Sequence, residues 1–241
     1  MKIKTTIERG ITKLGFEHEK GKFTLVHPPV KGTYKQIAKA ILDSGESLQT
    51  GYELSILTKS AYENLNEPEF QNVKEIIKNN FLWNHQVTFW TPETNKHFGV
   101  YSVHDAKGLG RDMEFNQEEL EDKLRGAEIH KEVRFNPDEG IAFAPRDTIY
   151  LGKIKDWNDF SKTGLVIANH MPKGGENLGD VGKEHFRYGY TWGVTGNTDI
   201  EKRVSALNDD WYGDWLNVVG NGFDDDNHGH AFEVFERSEK K

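Results

Sequence analysis

The chain has no cysteine in its 241 residues, which removes disulfides, thiolate metal sites and cysteine-nucleophile chemistry together. No apolar run approaches the roughly 18–20 residues that a membrane span needs, so no spanning helix is expected. Residues 1–20 are charged throughout and lack the apolar core of a signal peptide, which leads to the expectation of a cytoplasmic location. Positive charge is in deficit, with 31 Lys and Arg against 39 Asp and Glu for a net charge of −8. That balance argues against nucleic acid as a partner, because its backbone wants a basic face. Polybasic runs, low-complexity tracts and fixed-period repeats are also missing. What is plentiful is bulky apolar material: six Trp and fourteen Phe supply a core that a disordered chain would not have.

Periodicity divides the chain into helices early and short strands later. Phe23, Leu25 and Val26 mark a strand over 22–30 that Pro28-Pro29 is expected to stop. Ile37, Ala38, Ile41 and Leu42 have helical spacing, closed by Gly45. Thr50 and Glu53 have the form of a capping box opening a second helix, and Pro68 suits the first turn of a third. A domain boundary near residue 84 is conceivable, but no linker-like composition marks it, so residues 1–241 are read as a single domain in which 33–80 is a helical elaboration. Strands are expected at Val87–Trp90 and Phe98–Val103, then a helix from Asn116 to Gly126. Further strands are expected at Val133–Phe135, Ile141–Phe143, Ile149–Leu151 and Leu165–Ala168, and the glycine-rich Lys173–Gly182 reads as a loop. The final strands are expected at Val204–Leu207, Trp215–Val219 and Ala231–Phe235. Runs of helix and runs of strand, rather than alternation, imply an α+β class.

One segment stands apart. Of the 23 residues from Asn208 to His230, seventeen are Asp, Asn, Gly, His or Tyr. Between Arg203 and Phe232 there is no Lys, Glu, Gln or Met, although those types make up 54 of the 241 residues. Six Asp against Arg203 give this window a net charge of −5. So many carboxylates are too costly to bury unpaired, so the polar members are expected to face water or a ligand. The candidate ligand-binding residues are Asn208, Asp209, Asp210, Tyr212, Asp214, Asn217, Asn221, Asp224, Asp225, Asp226, Asn227, His228 and His230. Trp211, Trp215, Leu216, Phe223 and Phe232 are read as the scaffold beneath them. On this reading, changing Asp224, Asp225 and Asp226 together to Ala leaves the fold intact.

The segment resembles the C-terminal variable region of diversity-generating retroelement target proteins, in particular the variable proteins of nanoarchaea. In that family mutable codons are largely of the Asn type, and substitution of their first two bases reaches Asn, Asp, His, Tyr, Gly, Ser and Val but never Lys, Glu, Gln, Met or Trp. Asn208, Asp209, Asp210, Tyr212 and the other polar candidates all fall within the reachable set. Trp211 and Trp215 fall outside it, as scaffold positions would. The resemblance covers residues 203–235 and implies a C-type-lectin-like fold with short antiparallel strands, which displays the variable side chains to an unknown ligand, expected to be a protein or other macromolecule. It implies binding rather than catalysis. Some C-type-lectin-like relatives are enzymes that use cysteine chemistry, which a chain with no cysteine cannot do.

The rival reading is a metal-dependent enzyme or a calcium-stabilised domain using the Asp/His cluster at 209–230. Asp224, Asp226 and Gly229 match the start of an EF-hand loop, but its twelfth position falls on Phe235 instead of Glu. His228 and His230 could share a strand face, yet two ligands are not a site, and His170 or His185 would have to supply a third. Gly174-Gly175 with Gly182-Lys183 does not fit a phosphate loop, and His104-Asp105 are neighbours in sequence, which does not make a dyad. No catalytic, metal or cofactor site is assigned.

Overall fold

The computed structural model describes residues 4–8, 12–19, 21–209 and 214–239. Three antiparallel strands come first, β1 (Lys4–Glu8), β2 (Thr12–His18) and β3 (Gly21–Gly32). Helices α1 (Tyr34–Asp43), α2 (Gly51–Glu63) and α3 (Pro68–Asn79) follow, with the two-residue strand β4 (Ser47–Leu48) after α1. The middle of the chain holds β5 (Phe81–Trp90), β6 (Gly99–His104), α4 (Gln117–Lys123), β7 (Glu128–His130), β8 (Val133–Asn136) and β9 (Ile141–Pro145). Next are β10 (Gly152–Ile154), the single turn α5 (Trp157–Phe160), the long α6 (Gly164–His185) and β11 (Tyr188–Trp192). The last strands are β12 (Glu201–Asp209), β13 (Trp215–Gly222) and β14 (Gly229–Glu239).

Local chemistry accounts for the early helices as expected. Thr50 and Glu53 form a reciprocal capping box at α2, Pro68 occupies the first turn of α3, and Gly45 takes the positive φ of 86° that ends α1. The prolines of β3 do not stop the strand. Ala231 pairs Val30 and Glu233 pairs Val26, so Pro28 and Pro29 sit in a bulge opposite Phe232, where a missing N–H costs the ladder nothing.

The segment from Leu165 to Gly182 departs most from expectation. It is neither strand nor loop but helix α6, kinked at Met171, after which Pro172 starts the second piece. Its glycines serve close approach. A Cβ on Gly175 would lie 2.5 Å from the Ser161 carbonyl, and one on Gly182 would meet the Trp157 ring at 2.1 Å. Ile149–Leu151 is likewise not strand, since β10 begins at Gly152.

Strand order in the sheet is β1-β2-β3-β14-β5-β12-β13-β11-β10, with β6, β9, β8 and β7 branching from β5. β5 runs through residue 84 and pairs with β12 on both sides of it. On one edge β5 pairs β14 at Phe81–Leu82 and β6 from Gln86 to Trp90, so it changes partner between them. His85, at a φ of 48°, makes that break. Each sheet face carries a core. Leu82, Leu207, Leu216 and Val218 pack with α2, α3 and α6, whereas Trp83, Val87, Ala206 and Val219 pack with α1. Each fully buried large side chain contributes about 1.5–3 kcal/mol. Among the described residues no helix is long and apolar enough to cross a membrane.

Candidate ligand-binding site

Alternation along β12 and β13 sorts the polar stretch. Asn208 pairs Asn217 and Asp209 pairs Leu216, so Asn208, Trp215 and Asn217 share the α1 face with Ala206 and Val219. Asn221 falls in a register shift between Val219 and Gly222 and donates to the Gly193 carbonyl at 3.4 Å. Parallel pairing with β11 sets Tyr188 beside Trp215 and Tyr190 beside Asn217. Tyr190 stacks on Trp215 at 5.2 Å and 9°, Trp192 lies 4.5 Å from Tyr190 at a tilt of 32°, and Tyr188 is edge-on to Trp215 at 6.1 Å. Lys153 on β10 places its ammonium 3.4 Å from the Tyr188 ring centre, a cation–π contact at close range. The sequence reading missed this row. Its signal was the alternation Tyr188, Tyr190, Trp192, which puts three aromatic rings on one strand face.

The connection from β13 to β14 crosses the same face and roofs Trp83. Gly229 runs so close that a Cβ would lie 1.8 Å from Trp83 Nε1, and Phe81 N donates to the His228 carbonyl at 3.0 Å. Asp224 anchors the crossing. Its Oδ1 accepts from Arg111 Nε at 2.7 Å, its Oδ2 accepts from Arg111 N at 3.0 Å, and Lys35 Nζ lies 3.3 Å away. Burial would raise this carboxyl, but the Arg111 backbone and guanidinium and the Lys35 ammonium hold it below its ordinary value. Asp226 Oδ1 accepts from His228 N at 2.9 Å, which closes the turn. Asp225, Asn227 and His228 face out.

No family model matches the chain, and no curated protein matches it. Among solved structures, a Nanoarchaeota protein described as accommodating massive sequence variation by the C-type lectin fold superposes with a TM-score of 0.50. That superposition covers 86% of this chain and 95% of the other, at 12% sequence identity. The fold is that of a C-type lectin. At this identity the likeness carries the fold and not the activity.

Within the C-type lectin fold the candidate residues part company. Asn208 and Asn217 lie on one sheet face, Asn221 sits in the register shift beyond them, and Asp225, Asn227 and His228 lie on the crossing above the face. His230 sits on β14 in register with Leu82, on the opposite face, beside Lys31. Burial first, then the Lys31 charge, lowers its pKa. Asp214 is exposed at the start of β13, and its carbonyl accepts from Arg187 N at 2.8 Å. Asp210, Trp211 and Tyr212 lie outside the described residues.

Three residues expected to face outward are buried instead: Asp209, Asn217 and Asp224, at 5%, 3% and 5% exposure. Asp209 Oδ1 accepts from Trp215 N at 3.4 Å. The side-chain oxygens of Asn208 and Asn217 are enclosed without a partner among the described residues. Of the scaffold, Leu216 and Phe232 are fully buried and Trp215 is half-buried in the aromatic row, but Phe223 is 51% exposed. Its ring is held from outside, by the guanidinium groups of Arg203 at 4.7 Å and Arg111 at 5.1 Å. His228 precedes β14 instead of lying on it, so the two histidines do not share a strand face. No three His, Asp or Glu converge as a metal site among the described residues.

Proposed function

We propose that this chain is a diversified ligand-binding protein, in which the stretch from 208 to 230 forms the recognition surface and varies as it does in diversity-generating retroelement targets. The observation that carries this reading is that one segment, depleted of Lys, Glu, Gln and Met, coincides with the end of β12, with β13 and with the crossing to β14. The similarity of fold to a Nanoarchaeota protein known for massive sequence variation supports it. Buried residues such as Leu216, Asp224 and Phe232 fix the backbone, so exposed positions can change while the ordering cost of binding stays low. The row Tyr188–Tyr190–Trp192–Trp215 borders the variable positions and supplies rigid aromatic area that a macromolecular ligand can cover. In this reading α1–α3 belong to the same domain, α2 and α3 brace the surface from behind while α1 lies on its own face, and the protein works by recognition without a cofactor.

The deciding experiment is to sequence the gene and its flanks from many cells of the source population. Substitutions confined to adenines of a repeat, and falling on codons 208–230, are expected. An even spread of substitutions over the gene would remove the proposal.

A further inference from the structure

Where β5 changes partner from β14 to β6 the sheet opens, and a cavity of about 650 Å³ lies in the gap. This volume is in the range of small-molecule sites, roughly 300–1,000 Å³. The cavity is remote from the polar stretch. Arg237 on its wall comes seven residues after His230 along β14, which is roughly 20 Å at about 3.3 Å per residue.

One wall is apolar, with Phe23, Phe135, Ile141 and Met171. The lining also carries Tyr52, Glu53, Gln86, His104 and Arg237. Glu53 is already saturated. Its Oε1 accepts from Arg237 Nε at 2.6 Å, and its Oε2 accepts from Thr50 N at 2.8 Å, Thr50 Oγ1 at 3.1 Å and Arg237 Nη2 at 2.9 Å. Arg237 Nη2 also donates to the Leu48 carbonyl at 2.7 Å. Two donors remain. Among the described residues the Arg237 Nη1 amine and the Gln86 amide nitrogen donate to nothing, while Gln86 Oε1 accepts from Ser102 Oγ. The Tyr52 hydroxyl and His104 Nδ1 are enclosed without partners. A group placed against Arg237 Nη1 and the Gln86 amide nitrogen has to accept hydrogen bonds, whereas the Tyr52 hydroxyl can donate or accept and His104 Nδ1 follows its tautomer.

The backbone at the cavity is strained. Met171, at φ 63° and ψ 165°, occupies a region open essentially to glycine, yet it carries a long apolar side chain that forms the cavity wall. His85, at a φ of 48°, immediately precedes Gln86. Non-glycine residues persist in such conformations where the surrounding structure over-determines them, and they cluster at ligand clamps.

We propose that this cavity binds an amphipathic organic carboxylate, its head group accepting from Arg237 Nη1 and the Gln86 amide and its apolar body lying against Phe23, Phe135 and Met171. A single negative charge matches one guanidinium edge whose other edge is committed to Glu53. Lys22 also lines the cavity, but it lies 3.9 Å from Glu17, and Glu128 and Asp138 in the same lining oppose a second negative charge. Binding here is separate from recognition at 208–230 and does not depend on it.

The test is calorimetric titration of the full chain with octanoate, using octan-1-ol as the hydrocarbon control. Octanoate is expected to bind at least tenfold more tightly than the alcohol, and Gln86→Leu to weaken it tenfold or more. Met171→Gly is expected to raise Tm in the absence of ligand while weakening both compounds, because it relieves the backbone and removes the wall. If Gln86→Leu does not fold, Ala127→Trp fills the same cavity and is expected to abolish binding. Equal affinity for octanoate and octan-1-ol, or octanoate binding that survives the substitutions, overturns the site.

Discussion

Polar side chains crowd two regions of this molecule, and they do opposite things there. In the interior Gln49, Asn84, His85, Ser102, Asn169 and His170 are fully buried around the break in β5. Gln49 Nε2 donates to the Trp83 carbonyl at 2.6 Å, Asn84 Nδ2 to Ser205 Oγ at 3.2 Å, and His170 Nδ1 lies 2.8 Å from the Gly51 carbonyl. On the surface Asp214, Asp225, Asn227 and His228 use overlapping residue types but face water. A buried amide or imidazole that loses its partner is stranded away from solvent, at roughly 1–3 kcal/mol, whereas an exposed one exchanges partners with water at little net cost. Tolerance to change therefore follows the environment and not the residue type. A diversified surface needs the second kind of position, and an open sheet needs the first.

Acid should break the interior first. Burial, with His104 nearby, pushes His85 down to about 3, and burial pushes His170 down to about 4. In the unfolded chain each takes up a proton near pH 6.5, while in the folded chain both remain neutral. Stability is thus full above about 6.5 and falls as pH drops toward the folded values. Two such groups cost about 5 kcal/mol between pH 6.5 and 4.5, comparable with the whole stability of many domains. Thermal melts over this window should show a steep decline in Tm. A flat profile would mean that the imidazoles find solvent or a counter-charge.

A smaller effect is expected inside the recognition stretch, where the comparison between regions becomes sharpest. Asp224 and Asp225 are adjacent, yet their side chains are 5% and 79% exposed. Asp224→Asn leaves Arg111 and Lys35 without their carboxylate and should cost about 2 kcal/mol. The carboxyl is held below its ordinary value, so its contribution is present above about pH 4 and disappears in stronger acid. Denaturant unfolding of the variant at pH 7 measures the loss, and wild-type stability would contradict the anchoring role. The expectation that Asp224, Asp225 and Asp226 could all be replaced without harm to the fold treated an anchor and two turn residues as one class.

Legibility in the sequence followed how local each cause was. Capping at Thr50, Pro68 at a helix start and the alternation of β12–β14 are decided within a few residues, and these elements stand where periodicity put them. Helix α6 was illegible because Gly175 and Gly182 answer to Ser161 and Trp157, which only the folded chain brings near. Residues 4–18 showed no strand signal that set them apart, yet β1 and β2 form once β3 is available to pair. At the candidate site, composition marked the segment but not its inside and outside. The partners that bury Asp224 lie 113 residues away in Arg111 and far upstream in Lys35. The aromatic row was legible in principle, since alternation on β11 is local.

The smallest effect expected is on the positions that a diversified surface would vary. Asp225, Asn227 and His228 are exposed on the crossing. Among the described residues the side chains of Asp225 and His228 make polar contact only with the surface groups Arg111 Nη2 at 3.9 Å and Asp226 Oδ1 at 3.1 Å, and none of the three is bonded to backbone. Asp226 is set apart from them, because its carboxylate accepts from His228 N. Changing Asp225, Asn227 and His228 together to Ala should leave Tm within about 2 °C of the parent, as for other surface substitutions away from special features. Adding Asp226→Ala removes the turn bond, and adding Asp224→Asn removes the anchor, so stability should fall in two steps, the second larger. A triple variant that already melts well below the parent would show that the outward residues also carry the fold. In that case positions 225, 227 and 228 would not be free to vary, and recognition would have to rest on the sheet face at Asn208 and Asn217.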